Sequence, residues 1–98
     1  MYQATTPTIT IETNVNLEDS VAVNLVLAQN KQIILEKHLE DVEITGNTIG
    51  VFLTQEETLL FSCDLPVLIQ GRVKIGTKVL PIADMYIGVE EMLDKEIM

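Results

Sequence analysis

Apolar residues in this chain recur at every second position, and the runs are broken at intervals of roughly eight to twelve residues by turn-forming residues. Successive side chains of an extended strand point to opposite faces, so a period of two marks strands with one buried face, whereas a helix needs a period near 3.6. Repeated along most of a 98-residue chain, the pattern confines the fold to a small all-β sandwich or barrel.

The strands follow from the alternation. Thr8 to Glu12 sets Ile9 and Ile11 against Thr8, Thr10 and Glu12. Val21 to Ala28 sends Val21, Val23, Leu25 and Leu27 one way and Ala22, Asn24, Val26 and Ala28 the other. Both sides are largely apolar, so this strand is expected to be central. Lys31 to Lys37 puts Ile33 with Leu35 and Ile34 opposite. Asp41 to Ile44 and Thr48 to Thr54 flank Gly46-Asn47, a pair able to take the positive φ angles of a two-residue hairpin, and Ile49, Val51 and Leu53 make the inward row. Pro66 to Ile75 directs Val67, Ile69, Val73 and Ile75 inward; Gly71 interrupts that row and implies a bulge or a close backbone approach that serves packing. After a Gly76-Thr77 turn, Val79 to Gly88 contains Pro81, which cannot donate a ladder hydrogen bond, so this strand is expected at an edge or at a change of sheet.

Two segments read as helical. Thr54-Gln55-Glu56-Glu57 fits a capping box and starts a helical turn over about residues 55–61, whose Leu59, Leu60 and Phe61 are expected to plug one end of the sandwich. Val89, Met92, Leu93 and Ile97 recur at helical spacing among acidic residues, which predicts a short amphipathic C-terminal helix. The length suits one core, no linker or repeat divides it, and 47% hydrophobic with 21% charged residues is a globular composition, so residues 1–98 are expected to form a single domain.

Fifteen acidic against six basic residues give a net charge of −9, which opposes approach to nucleic-acid phosphates or an anionic membrane. Neither is an expected partner. Cys63 is the only cysteine, so no intrachain disulfide forms and a reducing cytoplasm fits best. The start, Met1 to Pro7, lacks the basic and apolar regions of a signal peptide, and no apolar stretch approaches the ~20 residues that span a bilayer.

No constellation for chemistry emerges. His38 and Cys63 are the only nucleophile and base of their kind, and Asp64 beside Cys63 disfavours a thiolate. Cys63 is expected to be a buried or half-buried structural thiol and His38 a surface residue after a strand. The clusters Glu40-Asp41-Glu43 and Glu90-Glu91-Asp94 lack the alternating ligands of a calcium loop and read as solvated faces. With no tryptophan there is little to stack on a sugar, and the glycines stand singly, so no phosphate-cradling loop exists. No catalytic residue, cofactor or metal ligand is assigned, and an enzyme is not expected.

Ile34-Leu35-Glu36-Lys37, Val42 to Ile49 and, most specifically, the L-T-Q-E-E-T-L-L-F run Leu53 to Phe61 resemble a family of small uncharacterised bacteriophage and prophage proteins from Firmicutes. Thr5-Thr6-Pro7-Thr8, Ile69-Gln70-Gly71-Arg72-Val73 and Val89-Glu90-Glu91-Met92-Leu93 extend the similarity over nearly the whole chain. Gly71, where the family carries a larger side chain, and the Glu96-Ile97-Met98 ending depart from it. The resemblance implies an immunoglobulin-like sandwich of about seven strands, similar in outline to N-terminal domains of phage baseplate proteins, in a tail or virion-associated protein found in the virion or host cytoplasm. It implies no catalytic residues. The expected function is a structural or assembly module that contacts other phage proteins, and itself as a homo-oligomer, near the edge at Pro81 and through the stripe Val89, Met92, Leu93 and Ile97. The alternatives are a small-ligand or carbohydrate-binding module and an acidic phage inhibitor of a host protein.

Overall fold

The computed structural model describes the whole chain, Met1 to Met98. In order it contains β1 (Thr8–Glu12), β2 (Ser20–Gln29), β3 (Gln32–His38), a 3-10 turn (Leu39–Asp41), β4 (Val42–Thr45), β5 (Thr48–Phe52), α1 (Gln55–Thr58), β6 (Val67–Ile75) and β7 (Lys78–Ile87). Every strand end falls within two residues of the position that alternation predicts. The strands form two antiparallel sheets, β1-β5-β4 and β3-β2-β6-β7. Ile11, Ile49, Val51 and Leu53 from the first sheet meet Val23, Leu25, Leu27, Val67, Ile69 and Val73 from the second in one core, completed by Leu17, Phe61 and Val89. The expected seven-stranded, two-sheet sandwich is what forms. Within it β2 is central, lying between β3 and β6, whereas an immunoglobulin domain places its second strand beside the first and fifth.

Strict alternation fails wherever one strand carries an extra residue. Ser20 pairs with Ile75 and Ala22 with Lys74, so Val21 has no partner and is 60% exposed instead of joining the inward row. Leu27 pairs with Leu35 and Ala28 with Ile33, so Ile34 is the extra residue of β3. Ile34 and Leu35 then both pack on the core while Ile33 is exposed, which corrects the expected pairing of Ile33 with Leu35. Arg72 pairs with Pro81 and Gly71 with Ala83, so Ile82 is extra in β7 and packs against the core. A Cβ at Gly71 would collide with Cδ2 of the fully buried Leu25 and come within 3.1 Å of Ile82 Cγ1. Both sequence readings of that glycine, bulge and close approach, therefore hold together. In the β4–β5 turn Gly46 takes φ 59° but Asn47 does not take a positive φ, so one left-handed residue and not two makes that hairpin.

Each flank of the sandwich is tied. On one, the 3-10 turn carries the chain from β3 in the larger sheet to β4 in the smaller. On the other, Met1–Gln3 lie parallel to Gly88–Glu90: Glu90 N donates to Met1 O (2.7 Å), and Gln3 N donates to Glu90 O (3.1 Å). This pairing overturns the expected C-terminal helix. Glu90 is held extended, Val89 is drawn into the core at 8% exposure, and the residues left are fewer than the ~12 that a lone helix needs.

Near β1's start the capping box forms as read: Thr54 Oγ1 accepts from Glu57 N at 3.1 Å and Glu57 Oε1 accepts from Thr54 N at 2.9 Å. The plug it introduces is Thr58 and Phe61, both fully buried, while Leu60 is 57% exposed. Gln29 secures the chain beyond the plug. Its Nε2 donates to Ser62 O (2.7 Å) and Leu65 O (2.9 Å), and its Oε1 accepts from Ser62 N (2.9 Å). We call this the helix pole and the opposite end, with the Gly46 and Gly76 turns, the turn pole.

Candidate functional site

The outer face of the four-stranded sheet follows from register. Reading from β3 to β7, one row holds His38, Asn24, Arg72 and Pro81, the next Glu36, Val26, Gln70 and Asp84, and the row nearest the helix pole Ile33, Ala28, Leu68 and Tyr86. Ala22, Lys74 and Val79 complete it at the turn pole. The β2 column is short (Ala22, Asn24, Val26, Ala28) and its neighbours are longer, so a trough runs along β2. Two adjoining depressions of about 440 and 350 Å³ share Asn24 and Arg72 at their junction. The second is lined by Ala22, Asn24, His38, Arg72, Lys74 and Val79, with no carboxylate.

That lining is unusual for a chain of net charge −9. Lys37 is paired with Glu57 at 2.8 Å and Lys95 with Glu91 at 3.6 Å, but Arg72, Lys74 and Lys78, like Lys31 at the helix pole, make no ion pair. Burial pushes the Glu57 carboxyl up, but hydrogen bonds from Lys37 and the Thr54 amide, with the lysine's charge, outweigh it and hold Glu57 below its ordinary value. Lys37 is thereby committed to the helix pole, leaving the cations of β6 and β7 facing solvent. The face is cationic at the turn pole, carries Glu36 and Asp84 in its middle row and is apolar at the helix pole, where Tyr86 is 68% and Ile33 54% exposed. Asn24 Oδ1, enclosed between those rows, has no hydrogen-bond partner.

The predicted contact residues separate. Pro81 lies on the edge strand β7, as expected, directly beside Arg72. Val89 belongs to the domain's own core, Met92 is half-buried, and Leu93 (91% exposed) and Ile97 (44%) face solvent, so the stripe is not one surface. At the tail's root the Met1 ammonium donates to Glu90 Oε2 at 2.7 Å, which lowers the Glu90 carboxyl below its ordinary range. Arg72, Lys74 and Asn24 were not singled out from the sequence because their adjacency depends on the register of separate strands.

Cys63 is exposed, not buried, with Sγ 3.9 Å from Asp64 Oδ1. It follows Ser62 at Gln29, whereas His38 sits at the level of Asn24, five residues back along β2, about 17 Å at strand spacing, so the pair is not assembled. His38, Glu40 and Asp41 do bring ligand atoms within 4.8 Å of one another, a proximity that spacing alone did not reveal. All three are exposed, and Asp41 is already engaged as acceptor from the His38 amide at 2.9 Å. No helix is long and apolar enough to cross a membrane. No protein-family model, curated protein or solved structure matches the chain.

Proposed function

We propose that this domain is a non-enzymatic protein-interaction module that binds through the trough on its four-stranded sheet. The sequence resemblance supplies the setting, assembly of a phage particle. The observation that carries the reading is the carboxylate-free depression at Arg72 and Lys74; beyond a middle row that holds Glu36 and Asp84, Ile33 and Tyr86 stand exposed at the helix pole. Such a surface attracts a segment with carboxylates at one end and apolar residues at the other, because unpaired cations steer and orient a partner while apolar contact supplies the area to hold it. A sugar module would need an aromatic platform, and this face offers only Tyr86.

Selection of random peptides displayed against the purified domain tests the reading. Acidic peptides containing apolar residues should be enriched, and Arg72→Glu should weaken them about tenfold. Failure to enrich any peptide, or binding indifferent to Arg72→Glu, refutes it. Mass spectrometry of purified particles tests the setting: the chain should be a particle component, and its presence in lysate but absence from particles refutes an assembly role.

A further inference from the structure

We infer that the trough of one copy receives the acidic C-terminal tail of a second copy, giving a head-to-tail contact; the inference rests on the interaction reading above. Residues 91–98 carry Glu91, Asp94 and Glu96 against the single basic Lys95, interleaved with Met92, Leu93, Ile97 and Met98. The segment is net acidic with exposed apolar side chains and so complements the unpaired Arg72, Lys74 and Lys78. The tail is also presented for exchange: Leu93 is 91% exposed, Ile97 44% and Met98 fully so. Its hydrogen bonds and ion pair beyond Glu90 stay within the tail, at Asp94–Glu96 and Glu91–Lys95, except for one bond from Met98 N to Gln55 Oε1 at 2.7 Å. Only that bond and light apolar packing must be given up when the segment leaves its own domain.

Position favours a second copy over the same chain. The tail starts from the Met1–Gln3 pairing and returns to α1, so it belongs to the helix pole. Arg72 and Lys74 lie toward the turn pole; from Val67 to Lys74 the strand rises about 24 Å. The tail at one pole and the cationic row toward the other can therefore meet when copies stack pole to pole. The contact joins two different surfaces, and a heterologous contact that does not close into a ring extends into a chain of subunits. Carboxylates of the tail meet Arg72, Lys74 and Lys78. The interaction is between exposed charges and so weakens as salt rises.

A labelled peptide of residues 89–98, titrated into the full chain and followed by fluorescence anisotropy, is the direct probe. It should bind, and Arg72→Glu with Lys74→Glu should weaken it at least tenfold, while Lys31→Glu at the helix pole leaves it unchanged. In parallel, sedimentation of the full chain should show concentration-dependent association. Association should be lost with the trough reversed (Arg72→Glu, Lys74→Glu) or the tail reversed (Glu91→Lys, Asp94→Lys, Glu96→Lys), and restored when the two folded variants are mixed. Absence of peptide binding, association unaffected by either reversal, or failure of the mixture to restore it overturns the inference. If display-selected peptides still bind at Arg72 in that event, the interaction reading survives; if they also fail, both fall.

Discussion

Replacing Gly71 with alanine adds one methyl group at the most crowded point of the four-stranded sheet. The new Cβ would overlap Leu25 Cδ2 and lie 3.2 Å from Leu25 Cγ and 3.1 Å from Ile82 Cγ1. The tip of a leucine normally gives way at little cost, but Leu25 is fully buried between Val23 and Leu27 and must displace core neighbours. Overpacking of this kind costs about 1–3 kcal/mol. Alanine regains about 0.5–1 kcal/mol of backbone entropy in a strand, leaving a net loss of about 1–2 kcal/mol. For a domain of this size that lowers the melting temperature by about 5–15 °C. Thermal and urea unfolding of Gly71→Ala, Leu25→Ala and the double variant measure it. Leu25→Ala alone costs about 2–5 kcal/mol through its cavity, and the added methyl should partly fill that cavity, so the double variant should be more stable than the sum of the singles by about 1 kcal/mol. A neutral or stabilising Gly71→Ala, or strict additivity, refutes the packing account.

Two further outcomes are expected. The Glu57 carboxyl is held below its ordinary value of 4.5 in the folded state, so its stabilising contribution is complete above that value and disappears as pH falls through the lowered native value; Glu57→Gln should therefore flatten the stability loss seen as pH falls below 4.5, and an unchanged pH profile contradicts the Lys37 pairing. Gln29→Leu removes three hydrogen bonds at a residue 6% exposed and leaves Ser62 and Leu65 backbone groups without partners, so equilibrium unfolding should show a loss of about 3 kcal/mol; a loss under about 1 kcal/mol means that water replaces the amide.

What the sequence disclosed and what it withheld divide along physical lines. Alternation is local, so strands such as Thr8–Glu12 and the capping box at Thr54 and Glu57 were legible residue by residue. Val21 and Ile33 were misassigned because a single bulged residue reverses the parity of everything beyond it, and nothing in the side-chain pattern marks where the ladder slips. Helical spacing misled at Val89, Met92, Leu93 and Ile97, since the conformation of Glu90 is set by Met1 and Gln3 at the far end of the chain. Pro81 was correctly placed at an edge because proline's missing donor is a property of the residue itself. The trough was invisible for the opposite reason: Asn24, Arg72 and Pro81 come from three strands and become neighbours only through register.

Both outer margins of the larger sheet are interrupted, β3 by the extra Ile34 and β7 by Pro81 with the extra Ile82. A strand arriving at either margin meets a kinked row of amides and carbonyls, which disfavours the seamless backbone zippering from which amyloid grows. At these two margins crowding therefore leaves side-chain contacts as the favoured means of joining, and bonds of that kind come apart on dilution.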